Sequence, residues 1–165
     1  MGLYIANEKL FRNRPLATLN QEKDNFDLPY ELIQVYDAHV ERVWRALTTR
    51  DAMKTWYFPQ LRRFEPVVGF EMEFEDDRST FRKYWKVTQV RPERKLAHTW
   101  SYVGYAGASE VIFELFPEGG KTRLKVTHIG LGSFPDEPHF ARQRFEEGWR
   151  SIIGNKLKYF LQEGD

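Results

Sequence analysis

Cysteine is absent from this chain of 165 residues. Its absence excludes a disulfide framework, a thiolate nucleophile and any zinc site with sulfur ligands, and it fits a reducing compartment. A dominant charge sign is missing too, since 25 Lys and Arg stand against 24 Asp and Glu. With no overall field to draw in a polyanion, nucleic acid is not an expected partner. No apolar run approaches the roughly eighteen residues of a membrane-spanning helix. Charges follow Met1 to Tyr4 where an exported protein would carry a basic-then-apolar leader. The expectation is a cytoplasmic protein with no membrane insertion. Aromatic rings, by contrast, are plentiful: 16% of the chain, with five Trp and thirteen Phe. So many large rings exceed what a small solid core needs and suit the wall of an apolar pocket.

The length fits one domain able to bury a core without metal or disulfides. Residues 1–30 show no clean period and end in the polar stretch "NQEKDNFDLPY". They read as an N-terminal extension with a short helix around Glu8 to Arg12, the domain itself running over 31–165. "ELIQVYD" (31–37) reads as a strand. Val40, Val43, Trp44 and Leu47 then fall at i, i+3, i+4 and i+7, one face of a helix that Asp37 is placed to cap. Thr49 is placed to cap a second short helix, "RDAMKTWYF", which Pro59 ends.

From Val67 the period becomes two. Val68, Phe70, Met72 and Phe74 alternate with Gly69, Glu71, Glu73 and Glu75, the pattern of a strand with one dry and one wet face. Turning the chain at "DDRS" (76–79) sets Phe74 beside Phe81, Phe70 beside Trp85, Val68 beside Val87 and Glu73 beside Arg82. A second hairpin closes at Gly119-Gly120. It pairs Leu115 with Leu124, Phe113 with Val126, Val111 with His128 and Glu114 with Lys125. The strand "KLAHTWSYV" (95–103) has two readings. Registered on the strand before it, Leu96, His98 and Trp100 turn inward; registered through the loop 104–108, Ala97, Thr99 and Ser101 do. A bulge would reconcile the two, and the first is adopted.

The last helix is expected to begin between Asp136 and Phe140. Phe145, Trp149, Ile152, Ile153, Leu157 and Phe160 form its apolar stripe, centred near Trp149 and Phe160, with Gly148 and Gly154 at the borders. Each glycine costs about 0.8–1 kcal/mol against alanine in a helix interior. Either a close approach of backbone or ligand compensates, or packing elsewhere tolerates them. Glu146 and Lys156 lie inside the apolar arc, and Lys83 lies on the dry face of its strand. Either their stems carry the charges out to solvent, or the space beneath the helix is a partly wet cavity. A cavity is the reading adopted.

A strand, two short helices, a run of antiparallel strands and one long C-terminal helix follow the order of the helix-grip fold, an α+β architecture in which a curved sheet wraps the last helix. Four blocks, "AHVERVWRALTTRDAMKTWYF", "VTQVRPERKLAHTW", "GKTRLKVTH" and "EEGWRSIIGNKLKYFL", resemble those of the START-like (SRPBCC) superfamily. The resemblance is to its branch named for the C-terminal domain of the heat shock protein 90 ATPase activator, and it covers about Glu31 to Gln162. It implies a deep apolar cavity between sheet and helix and brings no shared catalytic set. Lys156 departs from it, standing where an apolar residue is more typical.

The residues expected to line that cavity are Trp56, Phe70, Met72, Lys83, Trp85, His98, Trp100, Phe113, Val126, His128, Glu146, Trp149 and Ile153. His128 is the leading polar candidate, although a lone inward histidine is more often a hydrogen-bonded core residue. A metal site from His98 and His128 lacks a carboxylate, because Glu114 faces the other way. "EMEFEDD" reads as a solvated sheet face and "GLGS" as a turn. No cofactor, metal or catalytic residue is therefore assigned. The expected partner is a small hydrophobic molecule such as a lipid or an aromatic metabolite. The resemblance adds two alternatives: a co-chaperone that modulates a chaperone ATPase, and a polyketide-cyclase-like enzyme using Lys83, His128 or Glu146.

Overall fold

The computed structural model describes residues 28–163. The expected extension over 1–30 lies outside them except for its last three residues, and Tyr30 already belongs to the first strand. The chain runs β1 (Tyr30–Tyr36), α1 (Val40–Thr48), α2 (Arg50–Trp56), β2 (Leu61–Arg63), β3 (Glu71–Phe74), β4 (Lys83–Arg91), β5 (Lys95–Tyr102), β6 (Ser109–Glu118) and β7 (Lys121–Ile129). Short 3-10 turns at Leu131–Ser133 and Pro138–Phe140 lead to the last helix. It consists of α3 (Arg142–Ser151), a π segment (Ile152–Lys156) and α4 (Leu157–Gln162). Among the described residues the strands form one antiparallel sheet in the order β1-β7-β6-β5-β4-β3-β2. The sheet is curved, and the last helix lies against its inner face: this is the α+β helix-grip architecture.

The β6–β7 hairpin has the expected register, with Leu115 opposite Leu124, Phe113 opposite Val126, Val111 opposite His128 and Glu114 opposite Lys125. Gly119 takes φ +64° at its turn, a conformation that L side chains rarely adopt. The β3–β4 hairpin keeps the expected faces but slips by two residues. Met72, not Phe70, stands opposite Trp85, and Glu71 opposite Lys86. The turn is longer than "DDRS" because the Asp76 and Asp77 carboxylates accept the backbone N–H groups of Arg78 and Ser79, each at 2.9 Å. Phe70 is consequently bonded to Val87, and Val68 is 61% exposed in the approach to the strand. Glu73 pairs with Arg63 at 3.1 Å on β2, a strand not anticipated, rather than with Arg82.

Leu96, His98 and Trp100 face inward from β5, opposite Phe113, Val111 and Ser109. The reconciling bulge lies on β4, between Val87 and Gln89. Asp37 does not cap α1: His39 is the N-cap, and its carbonyl accepts Arg42 N–H and Val43 N–H at 3.0 and 3.2 Å. Thr49 does stand at the N-cap of α2, but through its carbonyl, which accepts Met53 N–H at 2.9 Å, with no side-chain cap.

The last helix begins later than expected, at Arg142, and widens at Ile152–Lys156. A π turn takes more residues than an α turn, so everything after it is rotated relative to a 3.6-residue stripe. Leu157 and Leu161 are buried while Phe160 is only half-buried, and Lys156 is exposed rather than inside the apolar arc. Tyr36 donates from its buried hydroxyl to the Ile153 carbonyl at 2.6 Å, within the widened turn where the helix's own ladder is loosened.

Beneath the middle of this helix the expected hollow is filled with rings. Trp56 stacks on Tyr57 at 4.8 Å, Tyr57 reaches Trp149 at 6.0 Å, and Trp85 lies 4.2 Å from Trp100. Trp56, Trp85, Phe113, Val126, Trp149 and Ile153 are each at most 1% exposed. The abundance of aromatic residues builds a solid core here, and a cavity remains at one end of the helix.

Candidate ligand-binding site

Two buried histidines border that solid core, and their bonds are complete. The Trp149 indole N–H donates to His128 Nδ1 at 3.0 Å, so His128 carries its proton on Nε2. That proton goes to Ser109 Oγ at 2.9 Å, and the Ser109 hydroxyl donates to the Trp100 carbonyl at 2.7 Å. His98 donates from Nδ1 to the Thr99 carbonyl at 2.8 Å and accepts the Tyr57 hydroxyl at Nε2, 3.0 Å. Burial holds both rings neutral, lowering His98 to about 4 and, with His98 and Arg142 adding to the effect, His128 to about 3. Their hydrogen-bonding capacity is taken up within the core, leaving none for a ligand.

The open space lies beside the first turns of α3. It is a cavity of about 220 Å³ bordered by Phe58, Trp100, Tyr102, His139, Arg144, Phe145, Gly148, Trp149 and Ile152. Arg144, Phe145, Gly148, Trp149 and Ile152 come from one side of the last helix, at i, i+1, i+4, i+5 and i+8. Trp100 and Tyr102 come from the end of β5, Phe58 from the turn after α2, and His139 from the 3-10 turn that leads into α3. Gly148 opens the helix side: a Cβ built there would meet nothing within 4 Å. The same holds at Gly154, so neither glycine serves a close backbone approach.

Of the residues expected to line a cavity, Trp100 and Trp149 border this one. Lys83 borders a second, polar notch of about 270 Å³ on the far side of Phe58, together with Phe74, Phe81 and the acidic turn Glu75 to Asp77. Its ammonium lies 5.0 Å from the Phe58 ring and 5.4 Å from that of Phe74, and burial lowers its pKa. Glu146 sits on the flank of α3, ion-paired to Arg142 at 2.9 Å and Arg150 at 3.8 Å. Phe70 and Met72 pack at the β3 side of the core. Sequence reasoning missed Phe58, Tyr102, His139, Arg144, Phe145, Gly148 and Ile152 as lining residues. The signal available was Arg144 one turn before Gly148, with Phe145 and Trp149 beside them. Among the described residues no His, Asp and Glu cluster is arranged to hold a metal ion.

The family described as Activator of Hsp90 ATPase homolog 1-like protein matches residues 37–162. The chain belongs to that family. Its fold is similar to that of protein MLL2253 from Mesorhizobium loti, with TM-score 0.65 and 23% identity over 84% of this chain and 99% of that one. It is also similar to PFC0360w, an HSP90 activator from Plasmodium falciparum, with TM-score 0.65 and 17% identity over 82% and 96% of the two chains. CalU16 from Micromonospora echinospora gives TM-score 0.62 and 23% identity over 81% and 74%. No curated protein matches the chain. The helix-grip architecture is thus shared across distant relatives, while no helix among the described residues is long and apolar enough to cross a membrane.

Proposed function

We propose that the chain binds a small aromatic molecule in the cavity beside α3. The observation that carries this reading is the ring-walled space at Gly148. Phe58, Trp100, Phe145 and Trp149 border a volume that Gly148 leaves open on the helix side, where a Cβ would meet nothing within 4 Å. A mostly apolar slot with a few polar groups at its edge is the usual form of a small-molecule site. The test is titration with 2-naphthylmethanol, followed by the fluorescence of the bordering indoles. Gly148→Leu places a side chain into the slot from a position where nothing obstructs it, and should abolish binding while the thermal transition is kept. Undiminished binding in that variant would refute the proposal.

A second reading is a domain that acts on a chaperone. It is supported by the family description and by the similarity to a protein that is itself an HSP90 activator. A chaperone ATPase rate that stays flat at saturating protein counts against it.

A further inference from the structure

We infer that the ligand of this pocket is an aromatic carboxylate, its rings held among Trp100, Phe145 and Trp149 and its acid group met by the Arg144 guanidinium and the Tyr102 hydroxyl. This rests on the reading of the cavity as a ligand site and adds the charge of the occupant.

Among the described residues the polar side chains that border the cavity are Tyr102, His139 and Arg144, and none of them is a carboxylate. Arg144 differs from its neighbours on the helix. Arg142 and Arg150 both pair with Glu146, whereas Arg144 has no side-chain hydrogen bond or ion pair among the described residues. Tyr102, 8% exposed, accepts the Trp100 indole N–H at 2.9 Å, and its own proton has no acceptor among those residues. A buried hydroxyl with a proton left to donate and an arginine with no anion therefore meet at one cavity. Arg144 is close enough to act electrostatically on both Tyr102 and His139, and Lys83 also acts on His139. His139 is held flat on Phe81, ring centroids 3.5 Å apart and 2° from parallel, so it cannot swing away from these charges without breaking that stack. Lys83 is offset by Asp77 in its own notch, whereas among the described residues no carboxylate borders the cavity to offset Arg144, and an anionic ligand would supply one.

The number of charges selects the class of anion. One planar guanidinium and one neutral hydroxyl match a planar, singly charged group bonded through two oxygens. A phosphate monoester carries nearly two charges at neutral pH, and this rim would leave much of its charge unmatched.

The experiment compares 2-naphthoate with 2-naphthylmethanol, which share their rings and differ in charge, by calorimetry on the full chain. The expected result is that naphthoate binds about tenfold tighter, as a charge-assisted pair with an exposed arginine and a buried hydroxyl allows. Arg144→Gln, at an exposed position with no ion pair among the described residues, should remove that preference by weakening naphthoate far more than the alcohol. Tyr102→Phe should weaken naphthoate several-fold. Equal affinity for both probes in the wild type, or a preference that survives Arg144→Gln, overturns the carboxylate assignment and leaves the pocket standing. Binding of neither probe overturns the pocket reading and this one with it.

Discussion

Acid should unfold this domain through His98 and His128, and the size of the effect follows from their surroundings. Both rings are fully buried, and each has its proton placed by two partners. Protonating His128 would put a second N–H against the Trp149 indole N–H, which can only donate; protonating His98 would force the Tyr57 hydroxyl to turn from donor to acceptor. The folded values of about 4 and about 3 lie below the ordinary 6.5. Above pH 6.5 both folded and unfolded chains hold neutral rings, and the stability is fully present. As pH falls below 6.5 the unfolded chain takes up protons that the folded one refuses, so stability is lost progressively until the folded values are reached. Each ring then costs roughly 1.4 kcal/mol per pH unit, or about 5 kcal/mol for the two between pH 6.5 and 4.5. That is comparable with the whole stability of a typical domain, about 5–15 kcal/mol. Urea titrations across this range would measure the slope. In His98→Gln and His128→Gln the amide keeps one donor and one acceptor but does not titrate. Each single variant should lower the slope by about one kcal/mol per pH unit whatever it costs at pH 7. A slope equal to that of the wild type in both variants would refute the reasoning.

Trp149→Ala removes a ring packed against Tyr57, Trp100, Phe113 and His128, and should cost about 3–5 kcal/mol in urea denaturation; a loss under about one would mean that the ring faces open space. Tyr36→Phe leaves the Ile153 carbonyl buried without its donor and should cost about 1–3 kcal/mol, an unchanged midpoint showing that the carbonyl finds another partner. Gly154→Ala introduces a methyl group into open space within the helix and should raise stability by up to about 1 kcal/mol. A loss there would show that the π segment needs a glycine.

The two hairpins show which features are legible along the chain. In the β6–β7 hairpin an obligate Gly-Gly turn and an uninterrupted alternation point to the same register, and every expected pair is present. In the β3–β4 hairpin alternation constrains only parity. A slip of two residues keeps each side chain on its face, so the turn chemistry of Asp76 and Asp77 settles the partners. β2 has three residues and no period to detect, and it exists through its pairing with the neighbouring β3, where Arg63 lies opposite Glu73. The helical stripe assumes 3.6 residues per turn; its members through Ile153 and Leu157 are buried, whereas Lys156, at the end of the π segment, is turned outward and Phe160 beyond it is only half-buried. His128 is legible as an inward residue. That Trp149 and Ser109 complete its bonds is not, because those contacts join positions 21 and 19 residues away.

Composition and local periodicity determined most of the elements, β2 and the π segment excepted, with their order, the dry face of the sheet and the helix that covers it, because those depend on neighbours within a few residues. Whether the covered space is full was a matter for the tertiary structure. Volume is a sum over side chains from distant segments, and here the rings of α2, β4, β5 and the last helix close the centre. The gap that remains is set by how the turn carrying His139 meets the end of β5 and Gly148. No pattern along the chain encodes that distance.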